Sequence, residues 1–280
     1  MELDNTRIGD FKRCPRYFYY RHLRNWVPEG TSSPAMLFGT CWSLALDRLW
    51  QGESVMDAMQ GFMAGWYSEG LTWPLPLAHQ KRWGHHTPET AKKMLTAYAR
   101  RREGFFKGIE ILSVDKGIKY PITDTVDYVA KPDKIIKHEG EVSIVDHKTT
   151  GYGGKEGFTF SWSENWHLSA QLDGYRWLVS KVHNQAITNL WIDAALVSKL
   201  HHDVFEFLPI RKSDDWEEEW LDDTKYWIDR IQAKWYPKND KSCRAFNRLC
   251  EYFDICRWHS NPEELDTPKG FVERKWDPMT

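Results

Sequence analysis

Apolar positions along the chain change period several times, and each change marks an element. From Asn5 to Leu23 the residues Phe11, Cys14, Tyr17, Phe18 and Tyr20 predict a helix capped by Asn5 or Thr6. A loop rich in Pro, Ser and Gly (Pro28 to Pro34) leads to a core helix over Phe38–Trp50, on which Leu46, Leu49 and Trp50 share a face. Val55–Tyr67 predicts a further helix with Met56, Met59, Phe62, Met63 and Trp66 as its apolar side, and residues 71–86 read as an irregular loop. Thr87-Pro88-Glu89 is a helix start, cap then Pro, and that helix ends at Arg100-Arg101-Arg102, where cations suit the dipole.

Past Ile109 the pattern shortens to strand-like segments up to Ile122. Asp127–Thr150 predicts two strands joined by a tight turn at Glu139-Gly140, with Val142, Ile144 and Val145 in a buried strand. A glycine-rich loop, Gly151–Gly157, precedes a helix through Leu168–Val179, and two antiparallel strands follow at Ala186–Ser198 and Asp203–Ile210. The helix opening at Ser213 buries Trp216, Trp220, Trp227 and Ile231. The expected fold is α/β, a mixed β-sheet flanked by helices, in a single domain spanning 1–280.

The predicted hairpin carries the chemistry. Two adjacent strands would set Asp133 beside Asp146, and Lys148, two residues on, faces the same way as Asp146. Two carboxylates and an ammonium meeting at one point are suited to Mg²⁺ or Mn²⁺, hard ions that take oxygen ligands. The plain alternative is a solvated hairpin face. Downstream, Gln171 and Tyr175 stand four apart, on one helix face.

Composition narrows the setting. The 280 residues carry 38 basic and 40 acidic side chains, a net charge of −2, so any nucleic-acid footprint has to be local. Lys12, Arg13, Arg16, Arg21 and Arg24, interleaved with aromatics, form the most basic patch, either a phosphate contact or a solvated face. No stretch is apolar enough to span a bilayer, and the start lacks the regions of a signal peptide, so a cytoplasmic protein is expected. Cys243, Cys250 and Cys256 lie within fourteen residues, and Cys14 completes four thiols, the number that a tetrahedral zinc or a 4Fe–4S cluster requires. Their spacing is wider than the paired Cys-x2-Cys of zinc ribbons. The histidines His79, His85 and His86 are weaker metal candidates.

Pro132-Asp133, Asp146-His147-Lys148 and Gln171-x-x-x-Tyr175, in this order, resemble the PD-(D/E)XK nuclease superfamily, and more narrowly its RecB-like branch. The run Cys14-Pro15-Arg16-Tyr17 and the three late cysteines resemble the iron–sulfur members of that branch, AddB-type and CRISPR-associated. The resemblance implies a restriction-endonuclease-like core over 105–210, with an Fe–S-bearing lobe formed by 1–30 and 237–258. It implies Mg²⁺ or Mn²⁺ on Asp133, Asp146 and the His147 carbonyl, with Lys148, Gln171 and Tyr175 completing the catalytic set. It also implies a 4Fe–4S cluster, or zinc in its place, on Cys14, Cys243, Cys250 and Cys256. The implied activity is exonucleolytic hydrolysis of DNA ends, with recombination, repair or CRISPR-adaptation proteins as partners and a phage origin (host cytoplasm) as one setting. One departure stands out. Gly39-Thr40 matches the family's first motif, but Ser43 occupies the place of its metal-binding histidine, with Asp47 one turn on as a substitute. That departure keeps open a non-catalytic single-stranded-DNA binder.

Overall fold

The computed structural model describes residues 1–30, 33–187, 189–245, 248–261, 263–277 and 279. The expected Pro28–Pro34 loop, Ala186–Ser198 strand, cysteine run and C-terminal tail each include positions outside these residues. The chain forms two compact units, one of Thr31–Lys116 and Lys131–Ser213, the other of Met1–Gly30, Gly117–Ala130 and Asp214–Thr280.

In the larger unit, α1 (Pro34–Trp50) starts where the Ser33 side chain accepts the Met36 N–H and Pro34 occupies the first turn. It packs on α2 (Val55–Ser68), which opens with a reciprocal Ser54/Asp57 capping box. These helices approach closely because α2 presents glycine. A Cβ on Gly61 would stand 2.9 Å from the Leu44 carbonyl oxygen, and one on Gly65 2.8 Å from Leu44 Cδ1. The inward face of α2 is therefore Ala58, Gly61, Phe62, Gly65 and Trp66; Met56, expected there, is 73% exposed. The span read as an irregular loop contains α3 (Leu77–Trp83), ended by Gly84 at positive φ and anchored by buried Trp83. Its single short turn pair carries too little periodicity to be read from sequence. α4 (Pro88–Phe106) is capped by Thr87, as expected.

The sheet of this unit has the order β5-β4-β3-β2-β1, built from β1 (Ile109–Val114), β2 (Lys134–His138), β3 (Glu141–Thr150), β4 (Asn189–Leu196) and β5 (Phe205–Ile210). β4 runs parallel to β3, and the remaining neighbours are antiparallel, which gives the mixed sheet. β2 and β3 form the expected hairpin, turning at Glu139 (φ 51°) and Gly140 (φ 88°), the left-handed pair that a two-residue turn demands. β3 is central and buried from Val142 to His147. Between β3 and β4 the chain forms a two-residue ladder (Gly153–Gly154 with Gly157–Phe158), α5 (Phe160–Glu164), a 3₁₀ turn and α6 (Ala170–His183). α6 ends on left-handed Asn184. The two-residue ladder begins within the plain loop expected at Gly151–Gly157 and ends one residue beyond it. The core of this unit runs from α1, α2 and α4 to the sheet, including Trp42, Trp50, Tyr98 and Phe205.

The strand-like segments expected from Ile109 to Ile122 are two strands separated at Asp115 (φ 45°), while the single strand expected across Asp127–Ile136 is divided at Lys131–Asp133. Pro132 has no N–H to give a ladder. The cut-off pieces, Ile118–Thr123 and Val126–Ala130, form the smaller unit's sheet with Glu2–Leu3.

In the smaller unit the helix Asn5–Arg13 is capped by Asp4, one residue before the expected cap, and ends at Cys14 because Pro15 opens the next helix, Pro15–Phe18. A π turn, Tyr19–Leu23, follows. Tyr19, Tyr20, Trp26, Tyr252 and Ile255 form an aromatic core that joins the early and late chain segments. Phe271–Glu273 pairs with Trp26–Pro28, so the tail is an ordered strap here. The helix Asp214–Gln232 buries Trp220, Ile228 and Ile231, while Trp216 is 40% exposed rather than in the core. The early cations have intramolecular partners. Lys12 pairs with Asp223, Arg13 lies over Tyr17, and Arg16, Arg21 and Arg24 donate to the carbonyls of Tyr236, Arg274 and Leu265. Four of the five therefore hold the later chain segment, and Arg13 stays with Tyr17.

Candidate active site

Asp133 stands immediately before β2, and the pairing of Lys134 with Val145 brings it alongside Asp146 and His147. Its Oδ2 accepts the His147 backbone N–H at 2.6 Å, and its Oδ1 accepts from Ser43 Oγ at 3.4 Å. Asp146 is 2% exposed. Lys148 Nζ lies 2.5 Å from Asp146 Oδ2, but off the hydrogen-bond direction, so that buried oxygen has an ionic neighbour and no aligned donor. On the other side Lys148 Nζ donates to Gln171 Oε1 at 3.3 Å, Gln171 Nε2 donates to Tyr175 Oη at 2.8 Å, and Tyr175 Oη donates to the Lys131 carbonyl at 3.4 Å. The structure therefore brings Asp133, Asp146, Lys148, Gln171 and Tyr175 into one connected cluster.

Burial raises the Asp146 pKa above the ordinary aspartate value, and the Lys148 ammonium only partly offsets it. Lys148 is shifted upward. Burial works against its charge, but Asp146 and Asp133 outweigh that cost. A second cation facing Asp146 would relieve the same desolvation. The donor chemistry, two adjacent carboxylates with one oxygen lacking an aligned partner, fits a hard divalent ion. Among the described residues no three His, Cys, Asp or Glu side chains converge to hold a metal. Any ion here takes its further ligands from backbone, water or substrate.

His147 projects its ring to the opposite face of β3, as strand alternation requires. There Nδ1 lies 2.9 Å from Asp193 Oδ2 on β4, its parallel partner in register. Asp193 also accepts from Tyr98 Oη at 2.5 Å and from Arg102 at 2.6 Å, and Trp50 Nε1 donates to Tyr98 Oη at 2.9 Å. This buried network was not among the sequence expectations. Its one sequence signal is Asp193 alone in the apolar run Leu190–Leu196.

Asp47, the expected substitute for the missing histidine, pairs with Lys134, whose side chain is 0% exposed, at 2.6 Å. Asp115 pairs with Lys131 at 3.0 Å and donates its N–H to the Asp133 carbonyl, so it supports the Asp133 loop. His85 and His86 stack on each other at 4.5 Å, and among the described residues no third donor of metal type joins them.

In the smaller unit Cys14, Cys243, Cys250 and Cys256 line one cavity of about 30 Å³, beside Tyr17 and Tyr252. Four thiols are a complete donor set for zinc or a 4Fe–4S cluster. As they stand they are not drawn in to ligating distance. A cavity of this size holds about one water or one ion, so a cluster would have to part them. Burial pushes the Cys250 and Cys256 thiols up, so ligation there has to release protons. Cys41 is fully buried in the other unit's core.

No helix among the described residues is long and apolar enough to cross a membrane. No curated protein matches the chain. Among solved structures it is similar to an inferred exonuclease from Eubacterium rectale, with a TM-score of 0.57 and 17% identity, covering 91% of this chain and 92% of that one. An alkaline exonuclease from Laribacter hongkongensis overlaps more loosely, with a TM-score of 0.32 and 13% identity over 71% of this chain and 93% of that one. The first likeness supports a shared fold. The model of the PD-(D/E)XK nuclease superfamily matches residues 5–257, so the chain belongs to that superfamily.

Proposed function

We propose that the protein is a divalent-metal-dependent deoxyribonuclease that hydrolyses phosphodiester bonds at DNA ends. The observation that carries this is the buried Asp146 oxygen without an aligned donor, beside Asp133 and Lys148. Asp133, Asp146 and the His147 carbonyl would hold Mg²⁺ or Mn²⁺. Such an ion supplies positive charge against the scissile phosphate and lowers the pKa of a water. Lys148, already positively charged and held between Asp146 and Gln171, meets the charge that builds on the phosphate. Gln171 and Tyr175, linked to each other and to the Lys131 carbonyl, fix that lysine's reach and orient substrate. Ser43, 3.4 Å from Asp133 Oδ1, orients that carboxylate and is not itself a ligand of choice for Mn²⁺.

The finer reading is a RecB-like nuclease of the iron–sulfur type: one nuclease domain whose smaller unit holds a 4Fe–4S cluster on Cys14, Cys243, Cys250 and Cys256, with zinc as the alternative. Support comes from the four thiols on one cavity. Five free cysteines suit a reducing cytoplasm. Exonuclease action is favoured over internal cleavage because the Eubacterium rectale structure that shares the fold bears that description. Recombination, repair or CRISPR-adaptation proteins, and a phage setting, belong to this same reading. The test is to supply labelled linear and covalently closed DNA with Mn²⁺. Loss of linear DNA alone is expected, and equal loss of both would overturn the preference for ends. An anaerobic preparation should be brown, with absorbance that is lost in Cys14→Ser; a colourless protein carrying zinc would replace the cluster.

A further inference from the structure

The segment between β3 and α6 presents several large apolar side chains at its surface. Across residues 151–168 none is buried, although the segment includes Tyr152, Phe158, Phe160, Trp162, Trp166 and Leu168. Tyr152 is 68% exposed, Phe160 80% and Leu168 81%. Phe158, Trp162 and Trp166 are half-buried, and the other three are exposed. The rings are nevertheless arranged. Phe158 stacks on Trp162 at 5.1 Å and 26°, and Trp162 meets Trp166 edge-on at 5.6 Å. Lys148 Nζ stands over the Trp166 ring at 5.4 Å from its centroid. The ladder of rings therefore ends on the ammonium assigned to the scissile phosphate.

We propose that this segment is a stacking shelf for unpaired nucleobases, which selects single-stranded DNA for the site. The proposal rests on the nuclease reading for the place of the phosphate. A strand whose backbone meets Lys148 has Trp166 next to it, with Trp162 and Phe158 beyond. Base–ring stacking accepts any base and needs no hydrogen-bond code. In a duplex the same faces are covered by neighbouring pairs, so the shelf discriminates by strandedness. A protein partner would also fit exposed aromatics, but it gives no reason for the ladder to end on the catalytic lysine.

Binding of a fluorescein-labelled oligothymidylate, and of a blunt duplex hairpin, is measured by anisotropy in EDTA, so that no cleavage contributes. Tyr152→Ala and Phe160→Ala change exposed side chains and leave the core intact. Each is expected to weaken single-strand binding by about 5- to 100-fold, the range that one base–ring stack carries, with duplex binding unchanged. Phe160→Leu, apolar without a ring, is expected to fall with Phe160→Ala. Unchanged single-strand affinity in both alanine variants overturns the proposal. So does full recovery by leucine, which marks an apolar protein-docking patch instead. Ring-dependent binding by a protein that never cleaves DNA defeats the nuclease reading alone, and cleavage by a protein whose variants bind equally defeats the shelf alone.

Discussion

The His147 imidazole and the Asp193 carboxylate meet at 2.9 Å, each side chain 1% exposed, directly behind the strand that carries Asp146 and Lys148. The same residue, His147, gives its backbone N–H to Asp133. One peptide is thus gripped from behind while it holds a candidate ligand in front. Under the proposed function, Asp193 would position the candidate metal site through His147. We predict that Asp193→Asn weakens Mn²⁺ binding by roughly 10- to 100-fold, the usual effect of losing an outer partner. Titration calorimetry on the folded variant measures this. Unchanged affinity would show a purely structural role.

The same carboxylate has a pH signature. Burial alone would raise its pKa, but the His147 hydrogen bond, with Arg102 and Tyr98, holds it below the ordinary aspartate value. The folded protein therefore binds fewer protons here than the unfolded chain. Its contribution to stability is complete above the ordinary aspartate range and drains as pH falls through the lower folded value. Asp193→Asn should cost about 3–5 kcal/mol at neutral pH by stranding Arg102, with the deficit shrinking in acid. Urea titrations across pH check this, and a deficit independent of pH would contradict it.

Lys134 and Asp47 form a second buried pair, the lysine side chain 0% exposed. Lys134→Met should cost about 3–5 kcal/mol, because Asp47 is left as an uncompensated charge. Adding Asp47→Leu should recover most of that loss. A double variant no more stable than Lys134→Met would show that the pair is not what that substitution breaks.

Gly65→Ala tests the contact between α1 and α2. A new methyl group would stand 2.8 Å from Leu44 Cδ1 and 3.1 Å from Cys41 Sγ. Overpacking of this kind costs about 1–3 kcal/mol, more than the helix propensity of alanine returns. Thermal unfolding should show a lower Tm; an unchanged or higher Tm would mean that the helices part freely.

Much of the larger unit could be read from the chain. The turn at Glu139-Gly140 and the alternation of Asp146 and Lys148 are local facts, set by backbone geometry within a few residues. Gln171 and Tyr175 were legible because a helix fixes a spacing of four. The break at Lys131–Asp133 was not, since Val126–Ala130 and Lys134–His138 read as one apolar run yet pair in different sheets. Asp193 was not legible either. Its meaning depends on His147, which lies opposite it only through the parallel pairing of two strands joined by a long crossover. Met56 and Trp216 keep helical spacing yet face outward, because periodicity gives a stripe without saying how wide a face the neighbours cover.

Hydrolysis at Asp133, Asp146 and Lys148 is tested most directly by degradation of end-labelled linear DNA in Mn²⁺. The wild type should release label, while Asp146→Asn and Lys148→Ala, each verified as folded, should lose about 10²-fold or more of that rate, as expected when charge stabilisation is removed. DNA loss at the same rate in wild type and both variants would contradict the account.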